Sequence, residues 1–111
     1  MSVVEEVLLE EYDRSLRIEK AILEEQESLP KGSIQLKKIS NRDYHYLVYR
    51  DGGKVVTKYL KTDEVDAVAA AIKKRKENRE ALKELRRSIR QIEKTLGKDY
   101  INEHSKGGQL T

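Results

Sequence analysis

Histidine is the side chain most readily recruited for acid–base or metal chemistry near neutral pH. The chain carries two, His45 and His104, 59 positions apart. A zinc site needs three or four convergent ligands, and no His, Asp or Glu pattern at ligand spacing surrounds either one. Cysteine is absent, which removes thiol catalysis, thiolate metal sites and disulfides. Asp51-Gly52-Gly53-Lys54 has the flavour of a phosphate loop, but such loops are longer and lead into a helix N-terminus. Here a β-like run follows, so a hairpin turn is the better reading. Paired carboxylates such as Glu5-Glu6, Glu10-Glu11 and Glu24-Glu25 lie on one helical run. General acid–base work needs burial to shift a pKa, so these read as a solvated face. Ser28, Ser33, Ser40, Ser88 and Ser105 show no nucleophile elbow or matching base. The expectation is a protein that is not an enzyme and that uses no cofactor or metal.

The residues that do carry a functional signal are basic and aromatic. Lys37, Lys38, Arg42, Arg50, Lys54, Lys58 and Lys61 are interleaved with Tyr44, Tyr46, Tyr49 and Tyr59. Basic side chains neutralise phosphates, and tyrosine rings stack on unpaired bases. The structural alternative is that the tyrosines fill core and edge positions while the lysines protect strand edges. A second basic feature starts at Lys73-Lys74-Arg75-Lys76 and continues through Arg79, Lys83, Arg86, Arg90 and Lys94. Like charges at i, i+4 cost a helix roughly 0.2–0.5 kcal/mol per pair, so something acidic should compensate. The internal source is the glutamates of the first helix; the external sources are DNA, RNA or an acidic protein. The candidate nucleic-acid-binding residues are therefore Lys37, Lys38, Arg42, Tyr44, Tyr46, Arg50, Lys54, Lys58, Lys73, Lys76, Arg79, Lys83, Arg86 and Arg90.

Three elements must position them. Val4, Val7, Leu8, Tyr12, Leu16, Ile22 and Leu23 recur at helical spacing, predicting a helix over 3–27. Ser2 is its N-cap, with Glu5 at the capping-box position, and Leu29-Pro30-Lys31-Gly32 ends it. From Ser33 the period changes to alternation. Candidate strands 33–39, 44–50 and 54–60, with turns at Asn41-Arg42-Asp43 and Asp51-Gly52-Gly53, make an antiparallel meander over 33–60. On the central strand Tyr44, Tyr46, Val48 and Arg50 share one face and His45, Leu47 and Tyr49 the other. If Leu47 and Tyr49 point inward, Tyr44, Tyr46 and Arg50 face outward.

Thr62 is the predicted N-cap of a second helix over 63–96, about 50 Å long. At about 100° per residue, Val65, Val68 and Ile72 occupy one sector. Leu82, Leu85, Ile89, Ile92 and Leu96 occupy another, roughly 120° away. Between them, Lys73–Glu80 has no apolar residue. The first part should cover the meander and the second should pack on the first helix. Residues 99–111 read as a flexible tail, although Tyr100 and Ile101 are apolar enough to pack back.

Charge follows the same segmentation. Residues 1–28 carry a net −6, residues 29–62 a net +6 and residues 63–98 a net +4. With 39% charged residues, no Phe and no Trp, a large globular core is excluded, whereas helices zipped along apolar stripes are not. No run approaches the roughly 20 apolar residues of a membrane span, and Met1–Glu10 lacks signal-peptide character. A cytoplasmic protein without membrane contact is expected.

Leu29-Pro30-Lys31-Gly32-Ser33-Ile34, then Tyr44-His45-Tyr46-Leu47-Val48-Tyr49-Arg50 and Gly53-Lys54-Val55, resembles a family of small uncharacterised bacterial proteins. That family joins an LPKGS turn, a YYYL-x-YR strand, a GK hairpin and a long charged helix. His45 stands where another tyrosine is expected. The tyrosine-rich YR…GGK hairpin also looks like one near the start of some transposases. Neither resemblance supplies a catalytic residue.

The reading is an α+β domain over 1–98, its helices an antiparallel hairpin or an intermolecular coiled coil, as in a homodimer. Its expected role is a non-catalytic nucleic-acid-associated accessory protein of bacteria or mobile elements. The alternative is a protein-interaction module, such as a phage- or element-encoded inhibitor docking on a host defence complex.

Overall fold

The structure, a computed structural model, describes residues 2–105. Its elements are α1 (Val3–Ser28), β1 (Ser33–Ile39), β2 (Arg42–Asp51), β3 (Lys54–Leu60), α2 (Thr62–Leu96) and α3 (Lys98–His104). The helix, antiparallel meander and long helix of an α+β chain are all present. No helix among the described residues is long and apolar enough to cross a membrane. The last six residues of the expected tail, 106–111, lie outside the described residues.

Local chemistry sets the boundaries. Ser2 Oγ accepts the Glu5 backbone N–H at 3.1 Å, and its hydroxyl donates to Glu5 Oε1 at 3.0 Å, so the expected cap starts α1. The cap of α2 falls one residue earlier than expected. The Lys61 N–H donates to Glu64 Oε1 at 3.0 Å, and the Glu64 N–H donates to the Lys61 carbonyl at 2.9 Å. That reciprocal pair makes Lys61 the cap residue in place of Thr62. α2 then runs unbroken through Lys73–Glu80.

The chain divides into two compact units. The helical unit contains α1 through Glu27 and everything from Asn78 onward. Tyr12 Oη donates to Glu93 Oε2 at 3.2 Å, Arg86 Nε donates to Glu19 Oε2 at 2.9 Å, and the Asn78 amide donates to Glu25 at 2.6 Å. Partner numbers fall along α2 as they rise along α1, so the helices pair antiparallel within one chain. Tyr12, Ile89, Ile92 and Ile101 form the buried core, with Leu8, Leu16, Leu85 and Leu96 packed against it. Burial and the nearby Glu93 carboxylate push the Tyr12 hydroxyl up to about 12.

Residues 98–104 correct the expectation of a tail beginning at 99. Gly97 has φ +85° and its N–H donates to the Glu93 carbonyl at 2.9 Å, which closes α2 and turns the chain. Ile101 then reaches the core with none of its surface exposed. Ser105 Oγ donates to the buried Asp13 carboxylate at 2.5 Å. A short helix holds because one isoleucine and one hydroxyl anchor it.

The sheet unit spans 28–77. Strand order is β1-β2-β3, with Ile39 opposite Arg42 and Asp51 opposite Lys54. The first turn is Ser40-Asn41, at φ +51° and +64°, not Asn41-Arg42-Asp43. A two-residue turn with positive φ at both positions matches strand twist, and Arg42 and Asp43 are thereby released into β2. Leu47 and Leu60 are buried, and the half-buried Val65, Val68 and Ile72 of α2 belong to this same unit.

Candidate nucleic-acid interface

Side chains alternate along a strand, and residues directly opposite in an antiparallel pair share a face. From the register, one face of the sheet carries Ile34, His45, Leu47, Tyr49, Val56, Lys58 and Leu60. Leu47 and Leu60 are the buried members, so this is the inward face. The other face carries Lys37 and Ile39 from β1, Arg42, Tyr44, Tyr46 and Arg50 from β2, and Val55 and Tyr59 from β3. The three tyrosines there are half-buried or exposed.

On the outer face the rings pack on one another. The Tyr59 ring lies 6.3 Å from Tyr44 at 55° and 5.8 Å from Tyr46 at 65°, the tilted geometry that the ring quadrupole favours. Lys37 stands directly opposite Tyr44 in the register, and its Nζ lies 5.0 Å from the Tyr46 centroid, a cation–π distance. Tyr59 keeps 51% of its surface exposed, in the middle of the cluster. Chemically this is a stacking platform with an ammonium group already beside it and the guanidinium-bearing Arg42 and Arg50 on the same face.

The other candidates lie elsewhere. Lys38, Lys54 and Lys58 belong to the inward face by register. Lys73 and Lys76 are exposed on α2 within the sheet unit. Arg79, Lys83, Arg86 and Arg90 belong to the helical unit. Of these, Arg86 meets a carboxylate of α1, Glu19, in a half-exposed pair. Among the described residues, Arg79, Lys83 and Arg90 have no carboxylate within 4.0 Å. Glu19–Arg86 is thus an instance of the expected neutralisation of the stripe by α1.

His45 is half-buried on the inward face. His104 stacks on Tyr100 at 4.3 Å in α3. Among the described residues, no group of three or more His, Asp or Glu is placed to hold a metal ion.

Two features escaped the sequence reading. Tyr59 was counted among the tyrosines but not among the candidate binding residues, yet it is the centre of the cluster. Its signal was available, because a two-residue Gly52-Gly53 turn that pairs Asp51 with Lys54 also pairs Tyr46 with Tyr59. The second is Asn78, buried in the charged joint of α2, where its amide bonds Glu25 and, at 3.0 Å, Gln26. No apolar periodicity marks such a contact.

A family model described as a domain of unknown function (DUF6788) matches residues 8–70, more than half of the chain. The chain belongs to that family. No curated protein and no solved structure matches it. The matched region contains the whole meander and stops before Lys73.

Proposed function

We propose that this member of the DUF6788 family is a non-catalytic nucleic-acid-associated accessory protein of bacteria or their mobile elements, binding unpaired bases on the outer face of its sheet. Tyr59, Tyr44 and Tyr46 supply the stacking surface. Lys37 and Arg42 neutralise adjacent phosphates. The single observation that carries this reading is the tyrosine cluster with its neighbouring ammonium group on the face opposite Leu47. A core role would have placed those rings on the buried face.

Fluorescence polarisation with a labelled single-stranded oligonucleotide tests it. Stacking is worth about 1–3 kcal/mol per base, so Tyr59→Ala should weaken binding at least about fivefold. Affinity should fall with salt at a log–log slope of about −0.7 per neutralised phosphate, and Lys37→Glu with Arg42→Glu should flatten that slope. Binding that ignores salt and tolerates these changes rejects the proposal.

One observation favours the second reading, a protein-interaction module. Ile39 and Val55 on the same face are 51% and 61% exposed, and apolar surface of this kind suits a protein partner, such as a host complex inhibited by a phage- or element-encoded protein. Co-purification of one defined partner after nuclease treatment, lost in Val55→Asp, would support it.

A further inference from the structure

The outer face makes no use of Lys31 or Lys58. Both line a cavity of about 330 Å³ in the sheet unit, with Leu47, Tyr49, Arg50 and Asp51. Arg50 sits beside the hairpin and lines the cavity, although its register places it among the outer-face residues.

One wall is the turn that follows α1, and it is held from two directions. A Cβ at Gly32 would lie 2.1 Å from the Val48 carbonyl oxygen and 2.8 Å from the Tyr49 Cβ. The turn is thus seated directly on the stretch of β2 that lines the cavity. On its other side, Arg75 Nη1 donates to the Leu29 carbonyl at 3.1 Å. A binding wall fixed in this way loses little entropy when a ligand arrives.

The charges point to the ligand. Three basic residues, Lys31, Arg50 and Lys58, and one acidic residue, Asp51, line the cavity. Among the described residues none of the three cations has a carboxylate within 4.0 Å. Unpaired cations around a concave site focus the field inside it. A phosphate monoester carries about −1.5 to −2 at neutral pH, which balances the excess. Leu47, 7% exposed, supplies an apolar floor, and the half-buried Tyr49 supplies a ring. The volume falls at the lower end of the small-ligand range of about 300–1,000 Å³, enough for one nucleotide and too small for a helix or a duplex.

We propose that this cavity binds a nucleoside monophosphate group, with the phosphate among Lys31, Arg50 and Lys58 and the base against Tyr49 and Leu47. The group is either a free mononucleotide or the phosphorylated end of a strand; the second source rests on the nucleic-acid reading above.

The test uses the full chain and a 3′-labelled thymidylate oligomer bearing either a 5′-phosphate or a 5′-hydroxyl, with adenosine monophosphate as a separate ligand. Charge-assisted hydrogen bonds contribute about 1.5–3 kcal/mol, so the 5′-phosphate should tighten binding about tenfold or more. Lys31→Ala and Lys58→Ala, checked for folding by circular dichroism, should each erase that gain. Adenosine monophosphate binding that Lys31→Ala abolishes, without any oligomer binding, supports the cavity with a free nucleotide and rejects the outer-face reading. Equal affinities for both oligomers without adenosine monophosphate binding overturn the cavity proposal and leave the outer face standing. A phosphate effect that survives both substitutions also overturns it.

Discussion

Gly32 occupies a backbone position that no other residue can take. Its φ is +106°, and the space where a Cβ would stand is filled by the Val48 carbonyl. Gly52, at φ +57°, has nothing within 4 Å of its Cβ position. Gly52→Ala should therefore cost only the left-handed backbone term of about 1–2 kcal/mol. Gly32→Ala should cost clearly more, because backbone overlap is added to about 1–3 kcal/mol of strain. Urea denaturation of the two variants distinguishes them, and equal losses would contradict the close seating of the turn. Tyr12 allows a second test. Unfolded, it releases its proton near 10.0; folded, it holds the proton until about 12. The stability it contributes is fully present below pH 10 and is lost as pH rises through 12, since the unfolded state deprotonates first. Tyr12→Phe should show a shallower loss of stability over that window than the parent. At this scale the turn residues Pro30 and Gly32 could be read from the sequence, because their backbone restrictions are intrinsic. The burial of Tyr12 against Glu93 followed only in outline, from helical spacing.

At the scale of elements, α3 and the stripe on α2 are the informative cases. Ile101→Ala opens the centre of the helical unit and should cost about 2–5 kcal/mol by denaturation. A loss below about 0.5 kcal/mol would mean that α3 does not pack as described. On α2, Lys83→Glu places a carboxylate four residues from Arg79 and from Arg87 and three from Arg86. It should leave the melting temperature unchanged or slightly raised, because pairs so spaced contribute roughly 0.2–0.5 kcal/mol each. A marked drop would reveal an internal role for Lys83. The three strands of the meander were readable from alternation between turn residues, but both turns are one residue shorter than the sequence reading placed them, with Ile39 opposite Arg42 and Asp51 opposite Lys54, so the register was not. Asn78 was not, because a polar contact at a charged joint leaves no periodic trace. The position of α3 was only half visible, since seven residues carry too few apolar side chains to show a pattern.

Across the molecule, charge layout and family extent both bear on the proposed recognition surface. An acidic first segment and a basic remainder suggested mutual neutralisation, and within the helical unit Glu19–Arg86 is a half-exposed cross-helix ion pair of that kind. The core of the helical unit is apolar, so the pairing of its helices is carried by burial more than by charge. The family match over 8–70 includes the outer face and excludes Arg79 to Arg90. The sheet is accordingly the better place to look for a shared activity, and the stripe a feature added beyond the matched region. The most direct measurement is a residue-by-residue chemical-shift map during titration with a 5′-hydroxyl thymidylate oligomer. The shifts are expected at Lys37, Arg42, Tyr44, Tyr46 and Tyr59, with Leu47 and Leu60 unmoved. Absence of shifts on the outer face at saturating oligomer, or shifts confined to the helical unit, would contradict it.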